Sequence, residues 1–323
     1  MKHKLYFPDT LCENVLIFDG LTRSGRAMTA PLVSDLERVD YLQISNPVDQ
    51  IPMLWWLGLM EFDSAAAFLR MTVDDCTYAR MVGRHLNTRM SDQHSVYQSL
   101  NADKIIARGF GPEHHAAVDK FNSEGRISSF MAHHSLPMAD LWFAAFPKLR
   151  ILLTVRHPVD VCDSWNRRGW GERWGKDPLS FWPVPEINGE PVPWFAVDFA
   201  EDYKHANPMT RIVRSVIHLN ELNDNTLARL DAAQRAQVYE LCFEKIAVDP
   251  RPELEKVAAW LDTTLHPNVN EAFGKLRVPR VLKIENRRAK LDKIREALDA
   301  DLFEKFIAHC RAYEQKHCIE PGV

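Results

Sequence analysis

Short apolar runs closed by polar turns alternate along this chain with stretches of helical spacing. Val15 to Phe18 is the first such run, of buried-strand type and bounded by Asp19-Gly20. From Ala27 the period turns helical, with Met28, Leu32 and Leu36 four residues apart. Residues 41–126 read as a mainly helical insert, because Leu54, Leu57, Met60, Ala65, Phe68 and Leu69 follow helical spacing more closely than alternation. Ile127 to Ala132 predicts a strand, Met138 to Phe146 a helix, and Arg150 to Val155 another buried strand. Pro158, tolerated in a first turn, opens the next helix. Beyond it, Met209 to Leu222 predicts a helix, Val238 to Ile246 a strand, and Pro252 to Leu261 an amphipathic helix. The tail, 286–323, predicts one charged helix from about Asn286 to Gln315. Between these lies a Pro/Trp-rich loop, 176–200, with Pro178, Pro183, Pro185, Pro191 and Pro193 beside Trp182 and Trp194. A loop of that length suits a lid or binding loop. No repeat or linker interrupts the pattern. It predicts one α/β domain over residues 1–323, with a central parallel sheet flanked by helices.

Composition narrows the class. At 46% hydrophobic and 26% charged residues the chain has an ordinary enzyme core. A net charge of −4 gives no reason to expect nucleic acid or a membrane as partner, so any anion site must be local. Six scattered cysteines, with no C-x-x-C pair, read as free thiols of a reducing compartment. The N-terminus M-K-H-K-L-Y-F-P-D-T lacks a signal-peptide core, and no run reaches the ~18 apolar residues of a membrane span, so a cytoplasmic location is expected.

The candidate chemistry starts between the first strand and helix. Gly20-Leu21-Thr22-Arg23-Ser24-Gly25-Arg26 carries two glycines, two hydroxyls and two arginines. Such a loop can wrap an anion with its amides, aided by the positive end of the helix. Its register is that of G-x-x-x-x-G-K-[ST], but the last two positions are Arg26 and Ala27. Ala27 cannot hold Mg²⁺ as the hydroxyl of a nucleotide triphosphatase does. A second signal is Arg150 to Trp170, R-I-L-L-T-V-R-H-P-V-D-V-C-D-S-W-N-R-R-G-W. Arg156 ends a strand, where open α/β sheets bind ligands, and Ser164 follows two helical turns later. A guanidinium fork and a hydroxyl so placed can clamp a phosphate monoester.

Together these motifs resemble the sulfotransferases that use 3′-phosphoadenosine 5′-phosphosulfate (PAPS). T-R-S-G-R-A-M at Thr22 to Met28 stands where that family has P-K-S-G-T-T-W. Arg156, Pro158, Asp160 and Ser164 match R-x-P-x-D-x-x-x-S at each defined position. Val238 to Pro250 looks like the family's Y-E-x-L-x-x-D-P segment. The resemblance covers about 15–40 and 127–265, and it implies a P-loop NTPase-like fold.

The resemblance implies roles for single residues. Arg23 takes the place of a lysine that contacts the bridging and sulfuryl oxygens, here supplying charge without a proton. Thr22 belongs to the same cradle, and Ser24, Gly25, Arg26 and Ala27 would give amides to the 5′-phosphate. Arg156 and Ser164 would hold the 3′-phosphate. The family's histidine base falls near A-H-H-S-L-P, Ala132 to Pro137. His134 is the first candidate and His133 the second; on a strand the two would face opposite sides. A carboxylate such as Asp63 or Asp92 is the remaining choice. Arg287 and Arg288 stand near the family's Arg-Lys-Gly loop, without its glycine, and a solvated basic face is the competing reading.

The reaction implied is metal-free in-line transfer of the sulfuryl group of PAPS to a hydroxyl, or an amine, of a small-molecule acceptor. The product nucleotide is adenosine 3′,5′-bisphosphate. A small-molecule P-loop kinase and a degenerate nucleotide-binding protein are the alternatives. The expected partner is the acceptor alone, with no nucleic acid and no membrane, and a homodimer stays open. Residues 41–126 and 176–200 would choose the acceptor, which the sequence does not name.

Overall fold

The computed structural model describes residue 5 and residues 9–283 and 285–321. Residues 1–4 and 6–8 of the N-terminus, Ile284 beside the candidate arginines, and the last two residues of the tail lie outside the described residues. Strand β1 (Val15–Asp19) is buried at all five positions, as a strand covered on both faces must be. Helix α1 (Arg26–Ser34) follows at once. The insert holds β2 (Gln43–Ile44), α2 (Asn46–Trp56), α3 (Phe62–Met81), α4 (Ala102–Ala107) and α5 (His114–Ser123). It is mainly helical as the spacing predicts, with one short strand that two residues could not announce.

The second half returns to the sheet through β3 (Ser128–Met131), α6 (Ala139–Ala145), β4 (Arg150–Val155) and α7 (Pro158–Asn166). The Pro/Trp-rich loop contains only the small antiparallel pair β5 (Glu186–Ile187) and β6 (Glu190–Pro191) between irregular turns. After it come α8 (Ala200–His205), α9 (Pro208–Arg229), α10 (Ala232–Ala236), β7 (Val238–Cys242), α11 (Phe243–Val248), α12 (Pro250–Trp260) and α13 (Val269–Leu276). The chain closes with α14 (Glu285–Arg295) and α15 (Ala300–His317). No described helix is long and apolar enough to cross a membrane, and the six cysteines are all unpaired.

Two expectations need correction. The strand from Val238 stops at Cys242, and α11 takes over because Phe243, Ile246 and Ala247 bury themselves at helical spacing. The single charged tail helix is two helices, because Asp299 starts a new one: its carboxylate accepts the amide of Leu302 at 2.8 Å.

The five main strands pair parallel in the order β2-β3-β1-β4-β7. Alternation along β1 sends Val15 and Ile17 to one apolar layer and Leu16 and Phe18 to the other. The first layer packs α2, α3, α6, α7 and α9 against the sheet, and the second packs α1, α11, α12 and α13. From β1 the chain moves to one side of the sheet, and from β4 to the other. Strand order therefore reverses between β1 and β4, and an open α/β sheet binds its ligand in the crevice beyond such a point. The Gly20–Arg26 loop and Arg156 lie there.

Candidate active site

The loop after β1 is forced into shape by two glycines. Gly20 has φ +135°, and a Cβ on it would meet the Thr154 carbonyl oxygen at 2.3 Å. Gly25 has φ +112°, and a Cβ there would strike the Phe243 ring at 2.1 Å. Arg23 between them is also left-handed, at φ 72°. Helix α1 begins with no side-chain cap and no acid in its first turn, which leaves its positive end open to an anion. The Ser24 amide closes a turn to Leu21 at 3.0 Å, while its buried hydroxyl has no partner. Ala27 is the second residue of α1, half-buried, with no oxygen to offer.

One side of this loop is open and cationic. Arg23 Nε donates to Ser164 Oγ at 3.0 Å, and Arg156 Nη1 donates to the Arg23 carbonyl at 3.2 Å. The Arg156 guanidinium lies 4.5 Å from the centre of the Phe243 ring, with its buried Nε unpartnered. Burial lowers the pKa of Arg23, and Arg168, Arg156 and Arg167 add to that by repulsion. Arg280 is lowered by burial and then by Arg156 and Arg277. Arg287 is buried and bonds Asp160 through Nε at 3.3 Å and Nη2 at 3.2 Å, with Lys290 on the other carboxylate oxygen. Burial pushes the Asp160 pKa up, but Lys290, Arg156 and Arg287 outweigh it and hold the carboxyl below its ordinary value. Arg288, one residue on, is exposed.

The other side is enclosed. Arg26 turns its side chain inward, 4% exposed, with Nε and Nη1 unpartnered. Burial lowers its pKa against the opposing pull of Asp19 and Asp49. Asp19 accepts the amides of Ser135 and Leu136 at 2.9 and 2.6 Å. Burial raises its pKa against the charge of Arg26 and these bonds. His134 is 1% exposed and left-handed at φ 55°. Its amide donates to Gly20 at 3.3 Å, its Nε2 lies 2.7 Å from Thr22 Oγ1, and its Nδ1 has no partner. Burial, then Arg26 and His133, hold its pKa well below the ordinary histidine value, so the ring is neutral. His133 gives its amide to Asp49 Oδ1 at 2.7 Å and places Nδ1 2.7 Å from Asp49 Oδ2.

The two histidines do not lie on a strand with opposite facings. β3 ends at Met131, and the left-handed turn at His134 brings both rings to Trp182, each with centroids 5.5 Å apart. Trp182 comes from the Pro/Trp-rich loop, stacks on Trp174, and so roofs the pair. Trp165 Nε1 ties the Thr22 carbonyl at 2.7 Å.

Of the remaining carboxylate candidates, Asp63 has no part in these contacts, while the charge of Asp92 acts on His94. Asp63 is exposed in the first turn of α3, and Asp92 bonds Asn87 at 3.1 Å and pairs with Arg89 at 3.7 Å. Sequence reasoning missed Asp49, Asp19 and His94. His94 is half-buried with a buried, unpartnered Nδ1; burial lowers its pKa against the opposing charge of Asp92, with Arg26 and His133 adding to the burial. Only Asp19, an acid directly after an apolar run, carries a local signal that could have marked it.

No protein-family model matches the chain, and no curated protein matches it. Among solved structures it is similar to a sulfotransferase domain from the curacin biosynthetic pathway, at 11% identity and TM-score 0.47, over 97% of this chain and 99% of that one. It is similar to the sulfotransferase domain of the Synechococcus PCC 7002 olefin synthase at 13% identity and TM-score 0.46, over 96% and 98%. A sulfotransferase of Mycobacterium tuberculosis H37Rv follows at 13% and 0.40, over 86% and 76%. Two further similar structures, from Mycobacterium avium and Alicyclobacillus acidocaldarius, are also sulfotransferases.

Proposed function

We propose that the protein transfers the sulfuryl group of PAPS to a hydroxyl of a small-molecule acceptor. The observation that carries this is a cluster of buried polar atoms without partners around one loop. Ser24 Oγ, Arg26 Nε and Nη1, His94 Nδ1, His134 Nδ1 and Arg156 Nε all belong to it. Buried polar groups are costly unless bonded, so such a concentration is what a polyanionic ligand's site requires. The motif of Arg156, Pro158, Asp160 and Ser164 points to a 3′-phosphate as one of the ligand's anions.

The donor supplies an activated sulfuryl group on a phosphate leaving group. This chain's residues hold and orient it. Arg156 and Ser164 would grip the 3′-phosphate, and the open end of α1 would take the 5′-phosphate. Arg23 would stabilise charge on the departing phosphate oxygen without donating its proton. An open cavity of about 740 Å³ is lined by apolar groups such as Pro252 and Leu282 and by Arg280 and Arg287. The acids Glu244, Asp249, Glu253 and Glu320 also line it, and they favour an uncharged part of the ligand over a phosphate there. Arg280 interacts with Arg156, so the cavity adjoins the phosphate grip and suits a purine. A histidine of the 133–134 pair would take the acceptor's proton under the roof of Trp182. Catalysis would rest on alignment and charge, as in phosphoryl transfer.

The test is calorimetric titration with adenosine 3′,5′-bisphosphate, with 5′-AMP and Mg-ATP as controls. Metal-independent binding that needs the 3′-phosphate is expected. No binding, or a preference for Mg-ATP, overturns the reading and returns the loop to the kinases.

A further inference from the structure

The two adjacent histidines are held in opposite ways, and the difference separates their jobs. His134 is committed to the loop: its amide is tied to Gly20, its Nε2 to Thr22, and only 1% of it is exposed. His133 is committed to a carboxylate instead. Asp49, in the first turn of α2, receives both the amide and the Nδ1 of this one residue, each at 2.7 Å. Asp49 is 5% exposed. A buried carboxylate bonded at Nδ1 fixes the proton on that nitrogen and leaves a lone pair on Nε2. No described residue bonds Nε2, and the side chain is 24% exposed, so the free nitrogen is reachable. The ring stands edge-on to Trp182, on the enclosed side of the loop.

We propose that His133 is the general base and that Asp49, contributed by the helical insert, is its positioning residue, while His134 braces the cradle. This rests on the sulfuryl-transfer reading above. In the step, the acceptor's O–H proton passes to His133 Nε2. The oxygen's electron pair forms the new O–S bond. The S–O bond to the 5′-phosphate breaks, and its electron pair leaves on adenosine 3′,5′-bisphosphate. Asp49 faces the imidazolium that results, the arrangement by which a carboxylate orients and stabilises a histidine base. The insert therefore completes the catalytic group as well as walling the acceptor site.

The experiment compares the full-length wild type with Asp49→Asn, His133→Gln and His134→Asn by three readouts. Calorimetry with adenosine 3′,5′-bisphosphate checks the underlying reading; a wild type that does not bind it overturns sulfuryl transfer itself. Nitrogen-15 histidine spectra, with His133→Gln identifying the resonance, read the tautomer without any turnover. The proton of His133 is expected on Nδ1 in the wild type and no longer confined there in Asp49→Asn; a proton on Nε2 in the wild type overturns the proposal. Rates with PAPS are then measured with water, phenol and 4-nitrophenolate as probe acceptors. An acceptor already ionised needs no base, so His133→Gln and Asp49→Asn should raise the ratio of 4-nitrophenolate to phenol turnover by ~100-fold. An unchanged ratio, a ratio changed by His134→Asn in their place, or a bisphosphate-binding wild type that consumes PAPS with none of the probes overturns the dyad.

Discussion

The two sides of the Gly20–Arg26 loop solve different electrostatic problems with nearly the same residue types. On the open side, Arg23 is repelled by Arg168, Arg156 and Arg167, and Arg280 by Arg156 and Arg277, and solvent screens what a ligand's phosphates would later neutralise. On the enclosed side a single arginine, Arg26, is offset by Asp19 and Asp49, and His94 and His134 are pressed toward neutrality. Uncompensated positive charge is kept where water can reach it. On the enclosed side charge is balanced within the protein, and the free nitrogen of His133 is the group left in reach of an acceptor. Binding and chemistry are thus separable by mutation, although one loop carries both.

The largest effect should come from the backbone the two sides share. Gly25→Val would drive its side chain into the Phe243 ring at a left-handed backbone position. It should cost about 3 kcal/mol or more of stability by denaturant melt and abolish bisphosphate binding. Next, Arg156→Ala should weaken bisphosphate binding by ~10- to 100-fold, as loss of charge-assisted bonds does. Asp49→Asn, which removes the carboxylate partner of His133, should slow PAPS turnover and leave that affinity little changed. Equal losses of affinity in both variants would break the comparison. Raising ionic strength from ~0.05 to ~0.5 M should lower bisphosphate affinity several-fold, because the open side's charges are screened.

The smallest effect is in stability against pH. Burial holds the pKa values of His94 and His134 below that of an unfolded histidine. Below about 6.5 the unfolded chain therefore binds protons that the folded chain refuses. Their stabilising contribution is whole above that pH and falls as pH drops from it toward the depressed values. The loss is at most about 1.4 kcal/mol per pH unit for each histidine. Denaturant melts at pH 7.5 and 5.5 should show it in the wild type and show less in His134→Asn.

The open side was largely legible in the sequence. An arginine at a strand end, a proline-started helix and a serine two turns on form a linear pattern, and Arg23 meets Ser164 across 141 positions as the sheet order requires. The enclosed side was not. Asp49 is an acid in a helix's first turn, where the dipole alone would account for it, and nothing local ties it to a histidine 84 positions away. The facing of His133 and His134 was misjudged because the left-handed backbone at His134 leaves no mark in composition. At Cys242 the strand stops where an equally plausible strand pattern runs on to Ile246, and tertiary packing of α11 decides the matter. The tail helix breaks at Asp299 without a glycine or proline to announce it.

Trp182 and Trp174 stack 5.2 Å apart at 17°, close enough for their indole transitions to couple. Coupling of two stacked indoles shows as an exciton couplet in the far-ultraviolet dichroism, and one member of this pair roofs both imidazoles. A molecule that reaches His133 arrives beside that pair. The chain therefore carries an internal optical gauge, with which acceptors can be screened label-free before a single turnover is recorded.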